Sequence, residues 1–273
     1  MWMKRLIISA ASVGMLFSPT VWSQEKEPIQ PRHGGRQMTV DKTSSDQSVA
    51  VMDRVLIDLV AWRTQAAEQI LASAAAKYAG TAAYETADGV LRFNQGKQTE
   101  SSTLLQTATR TDVNDPAPSY YRGEVLQAQS KHDAARDSWQ QARNRARSRV
   151  DSNPQDARSL YYLGAALVRL KDPGAARTAL KAAATRGFDP RMTSYQIALT
   201  HMLDKDWQQA KESLDAVLAA DSRFAPAYFY RGVVWSKLGR NDKMAEDLEE
   251  FLLLAPRSPD AETAQVLLSG YHG

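Results

Sequence analysis

The chain has 273 residues, 43% of them hydrophobic and 24% charged, with no cysteine and a formal net charge of +3. That length suffices for one or two domains with a sizeable core. The missing cysteines exclude thiol catalysis, disulfide frameworks, Cys-ligated zinc and a lipoprotein anchor, and a charge this close to neutral gives no reason to invoke nucleic acid.

Residues 1–23 read as a cleavable export signal. Lys4 and Arg5 form a basic head, Leu6 to Phe17 is an apolar run, and Pro19 breaks it. Val21 and Ser23 are the compact residues a signal peptidase takes three and one positions before its cut, which makes Gln24 the first mature residue. The run falls short of the roughly 20 residues that span a bilayer. No later stretch reaches that length, so the expected mature protein has no transmembrane segment. The expected compartment is the periplasm, with secretion the second choice.

Residues 24–47 contain Pro28, Pro31, Gly34 and Gly35 and almost no large apolar side chains. Such a segment cannot bury enough surface to offset the entropy of ordering, and a flexible tail is expected. From about 48 to 80 a single long helix is expected. Met52, Val55, Leu56, Leu59, Trp62, Ala66, Ile70 and Ala74 recur at three- and four-residue steps, and Gly80 is its natural stop.

From residue 82 the chain repeats itself. Gly89, Gly123, Gly164, Ala198 and Gly232 recur at spacings of 34, 41, 34 and 34. Twelve residues after each comes Ser101, Ala135, Ala176, Ala210 or Met244. Four further on stands a large apolar residue: Leu105, Trp139, Leu180, Leu214 or Leu248. Ala108, Ala142, Ala183, Val217 and Phe251 follow after three more. A fixed period of this length marks a stacked-repeat architecture. The longer spacing adds seven residues, close to two helical turns, so the second unit should have an overlong second helix.

These residues resemble the tetratricopeptide repeat. The resemblance covers about 82–258, in units starting at 82, 116, 157, 191 and 225, and implies an all-α solenoid of about five helix pairs. Residues 259–273 would form a C-terminal capping helix, and 48–80 an N-terminal one. Ala67, Leu71 and Ala74 already reproduce the small–large–small spacing of a second helix. The pattern is broken at Arg122 and Arg231, which stand where a leucine is usual.

No catalytic constellation is visible. His33, His132, His201 and His272 lack partners at metal-ligand spacing, and there is no phosphate loop or nucleophile elbow. The expectation is a protein that is not an enzyme and takes no cofactor or metal. What remains is surface. In this family the first helix of each unit lines a concave groove, and its fifth place here carries Tyr120, Tyr161, Tyr195 and Phe229. Aromatic rings give large contact area at little entropy cost, as a peptide-binding groove needs. Arg169 and Lys237, eight residues after Tyr161 and Phe229, fall near the same face and would grip an acidic or C-terminal group. A second reading stays open: Ser119 and Ser194 stand where a core aromatic is usual, so the row would fill the core instead. Arg136, Arg143, Arg145, Arg147 and Arg149 form a basic collar on the overlong helix.

The resemblance implies a periplasmic module that binds a protein or peptide partner in its groove and scaffolds an envelope complex. The alternative is a carbohydrate-associated accessory role in exopolysaccharide export or cell-wall assembly.

Overall fold

The computed structural model describes residues 42–272, so the export signal and nearly all of the expected tail lie outside the described residues. Among the described residues every regular element is an α-helix. The first two are α1 (Lys42–Val60) and α2 (Thr64–Tyr78). Five antiparallel pairs follow: α3 (Ala82–Asn94) with α4 (Gln98–Thr111), α5 (Pro116–Ala128) with α6 (His132–Ser152), α7 (Ala157–Arg169) with α8 (Pro173–Thr185), α9 (Pro190–Leu203) with α10 (Trp207–Ala220), and α11 (Ala225–Lys237) with α12 (Asn241–Leu254). The last element is α13 (Ala261–His272).

Local chemistry sets where the helices begin. The side chains of Asp115, Asp156, Asp172, Asp189 and Asp206 each accept a hydrogen bond from a backbone N–H in the first turn of the helix that follows. These caps satisfy donors that the helix cannot pair itself. Pro116, Pro173 and Pro190 occupy the first helical place, where a missing N–H costs nothing.

The single helix expected over 48–80 is in fact two. The chain turns at Trp62, whose φ is +63°. The same left-handed residue ends the first helix of every later pair: Gly96, Ser130, Lys171, Lys205 and Gly239, again at spacings of 34, 41, 34 and 34. The N-terminal segment is therefore a sixth helix pair in step with the other five. The apolar stripe that suggested one continuous helix runs through Ala66, but Ala66 is exposed, and Ala67, Leu71 and Ala74 carry the burial.

Small residues sit where the helices of a pair cross. A Cβ added to Gly164 would stand 2.5 Å from Leu180 Cγ and 3.1 Å from the carbonyl oxygen of Ala176. Only a bare Cα fits there, and four of the five places of the period are glycine, with Ala198 at the other. The facing Ala135, Ala176 and Ala210 are fully buried. In the first pair Val55 takes the glycine's place, and α1 leans more on α3 than on its own partner α2. The overlong α6 has 21 residues against 14 in α4, and Ala142 and Ala146 keep its stripe buried along the extension.

Candidate functional site

The first helices of the pairs face the inside of the solenoid, and that inside is full. Tyr120, Tyr161, Tyr195 and Phe229 are only 3%, 1%, 6% and 0% exposed. They do not line an accessible groove; they are packing. The reason lies one residue further on. Tyr121, Tyr162 and Tyr230 follow three of the four rings, and each doublet meets edge to face with centroids 5.1–5.2 Å apart. Tyr120 and Tyr121 both reach Tyr162 in the next repeat, at 5.8 and 6.2 Å. Tyr161 stacks on Phe188 at 4.3 Å, and Tyr195 packs against Phe224 and Tyr230. Two adjacent rings in each of three repeats, with the single ring of Tyr195 in the remaining one, fill the inner face and are buried by one another.

The inward polar side chains also find partners within the chain. The Gln196 amide donates to the Tyr120 hydroxyl at 3.2 Å, across two repeats. Arg169 is no free cation. It grips Glu124 with two hydrogen bonds of 2.8 and 2.6 Å, and the Trp139 indole N–H donates to the same carboxylate at 3.0 Å. Burial disfavours the Arg169 charge, yet Glu124 holds its pKa well above the ordinary value. Asp260, from the segment before α13, faces the same pair, and burial pushes its carboxyl up to about 6. Lys237 is exposed. Arg169 and Lys237 therefore do not form one grip.

Two further ion clusters tie distant repeats together. Arg158, at the start of α7, donates to both oxygens of Asp53 in α1 at 2.9–3.0 Å and to Asp115 at 2.7 Å, with its guanidinium 4.9 Å from the Tyr162 ring. Arg63, in the turn of the first pair, donates to Asp58 at 2.6 Å and to Asp221 beyond α10. Despite burial, which acts the other way, hydrogen bonds from Arg63 and from the Arg223 backbone hold the Asp221 carboxyl below its ordinary range. Burial likewise pushes the Tyr230 hydroxyl up to about 12 and raises those of the other inner tyrosines, so none is a base or nucleophile near neutral pH.

Reading the fifth place alone missed Tyr121, Tyr162, Tyr230, Asp53, Arg158 and Glu124. The aromatic doublets stand in the sequence and were the available signal, since two large rings side by side suit filling better than lining. Among the described residues no cluster of His and carboxylates could hold a metal ion, and no helix is long and apolar enough to cross a membrane.

On the outer face Arg136, Arg147 and Arg149 are exposed on α6, Arg149 paired with Asp156 at 3.2 Å, and Arg143 is half-buried. A polar cleft of about 620 Å³ runs beside the extension of α6, lined among others by Asn114, Asn144, Arg145, Arg149 and Asn153.

Residues 116–186 match the family model of the tetratricopeptide repeat. None of the curated proteins matches the sequence. Among solved structures, the chain is similar to a TPR protein of Thermus thermophilus, at 18% identity over 69% of this chain and 100% of that one, with a TM-score of 0.54. It is also similar to MamA from Desulfovibrio magneticus RS-1, at 20% identity over 63% and 94% of the two chains and a TM-score of 0.40. For PilF of Pseudomonas aeruginosa the identity is 16% over 82% and 99%, with a TM-score of 0.38. A match inside the repeats, the same residue pattern before and after it, and helix pairs stacked in the same manner throughout give this chain the fold of a tetratricopeptide-repeat solenoid.

Proposed function

We propose that the chain is an exported scaffold that binds another protein and catalyses nothing, serving an envelope complex from the periplasm. One observation carries the reading: the fold is a repeat solenoid, and such stacks present long surfaces suited to protein recognition. The basic head, apolar run and Val21-x-Ser23 site support export. The inner face is occupied by the protein's own side chains, so the partner docks outside it, on the outer face and edges. There Arg147, Val113 and Leu253 are exposed.

The test places a photo-crosslinking residue at Arg147, Val113 or Leu253 in the native cell and identifies adducts by mass spectrometry. The reading expects a protein adduct from the envelope at one or more of these places. Adducts confined to glycan would contradict it. N-terminal sequencing of the recovered protein should begin at Gln24, and a full-length N-terminus recovered from the cytoplasm would refute export.

A further inference from the structure

Two arginines interrupt the repeat pattern at the same place, one residue before the crossing glycine: Arg122 in α5 and Arg231 in α11. Around Arg231 the structure is complete. Its guanidinium donates twice to Asp247 on α12 at 2.8 Å and once to Asp215 on α10 at 2.8 Å. This place therefore points into the outer groove between successive second helices, and two carboxylates close that groove over the charge.

The equivalent places around Arg122 are neutral. Counting from the crossing glycine, Asp247 corresponds to Ser138 on α6, and Asp215 corresponds to Gln106 on α4. The Ser138 hydroxyl already donates to the Ala134 carbonyl at 2.8 Å, and Gln106 is exposed. Arg122 is half-buried and has no hydrogen bond or ion pair among the described residues. Two turns beyond Ser138 on α6 stands Arg145, which donates only to backbone carbonyls, those of Asp115 at 3.3 Å and Thr109 at 3.5 Å. The nearby carboxylates are engaged elsewhere: Asp115 by Arg158, and Asp112 by the N–H groups of Asn114 and Asp115. Burial lowers the pKa of Arg145, the charges of Asp115 and Asp112 oppose that shift, and the nearby charge of Arg122 adds to it. Arg122 has no counter-ion among the described residues, and Arg145 feels Asp115 and Asp112 without a direct ion pair to either; a half-buried guanidinium so placed is costly, and a partner carboxylate relieves that cost. Arg145 also lines the cleft in which Asn114 and Asn144 offer further amide donors, and the one carboxylate of that lining, Asp156, is taken up by Arg149 and Ser159.

We propose that the outer groove between α4 and α6 docks an acidic segment of a partner protein, whose carboxylates take the places beside Arg122 that Asp215 and Asp247 take beside Arg231. The proposal rests on the reading of the chain as a protein-binding scaffold and names the chemistry of its partner. Polymer anions such as uronic-acid chains share the charge, but the template inside this molecule is a pair of protein carboxylates held by a helix face.

The test measures fluorescence anisotropy with a fluorescein-labelled hexapeptide of alternating Asp and Glu, and competition by polygalacturonate. The wild type should bind the peptide saturably, with affinity falling as salt rises. Arg122→Leu, which restores the residue usual in the repeat, should keep the melting temperature and lower affinity about tenfold or more, as loss of a charge-assisted hydrogen bond does. Arg145→Gln should act likewise, while the distant, exposed Arg186→Gln should change affinity less than about twofold, as screened surface charges do. An equal loss in Arg186→Gln, no loss in Arg122→Leu, or binding of polygalacturonate without binding of peptide would each overturn the proposal. If crosslinking finds a protein partner that Arg122→Leu leaves bound, the scaffold reading stands and this groove falls.

Discussion

Tyr161 is 1% exposed, stacked on Phe188, and its hydroxyl has no hydrogen-bond partner among the described residues. Those three facts make opposite predictions for two substitutions. Tyr161→Ala removes a large buried ring and should cost about 3–5 kcal/mol of stability. Tyr161→Phe keeps the ring and deletes only an unpaired buried hydroxyl, so it should be neutral or slightly stabilising. Urea unfolding separates the two, and a Tyr161→Ala midpoint equal to wild type would return this residue to an accessible groove. Periodicity places Tyr161 on the inward face of its helix, but periodicity cannot tell an inward face that meets solvent from one that meets another wall. That difference depends on residues such as Gln196 and Tyr120, 76 positions apart in sequence.

Among the elements, the turn inside each helix pair is the most regular feature and the least legible. Gly96 and Gly239 announce it, as glycine usually does at positive φ, but Ser130, Lys171, Lys205 and the half-buried Trp62 hold the same conformation without that signature. The small–large–small positions of the second helices are readable because backbone contact at a crossing forbids a side chain. The break at Trp62 is not, because a tryptophan at helical spacing from Leu59 looks like one more core residue. A left-handed conformation costs a side-chain-bearing residue about 1–2 kcal/mol, partly offset by the entropy that glycine loses on folding. Lys171→Gly should therefore raise stability by up to about 1 kcal/mol, and Gly239→Ala should lower it by about 1 kcal/mol. Thermal melts of the two variants should shift in opposite directions, whereas shifts of the same sign would contradict a common turn geometry.

At the scale of the whole molecule, the first helix pair reaches far along the stack. Asp53 meets Arg158 in the fourth pair, and Arg63 meets Asp221 at the end of the fifth. Trp62, Gln98, Arg257 and Pro259 line one cleft, although Gln98 belongs to the second pair and Arg257 follows the sixth. Curvature of this kind is the sum of small rotations, one per repeat, and no single residue encodes it. The repeat pattern therefore announces the solenoid, while the winding that closes its inner face escapes it. That winding is the central claim, because it moves recognition from the inside of the solenoid to the outside. With no native cysteine in the chain, spin labels can be attached cleanly at Gln98→Cys and Arg257→Cys, both exposed sites. Pulsed electron–electron resonance between them should give one narrow distribution at the short end of the measurable range. A loosely wound stack would hold these sites four helix pairs apart, on the order of 40 Å at about 10 Å per layer. A broad distribution, or one centred near that length, would contradict a closed inner face.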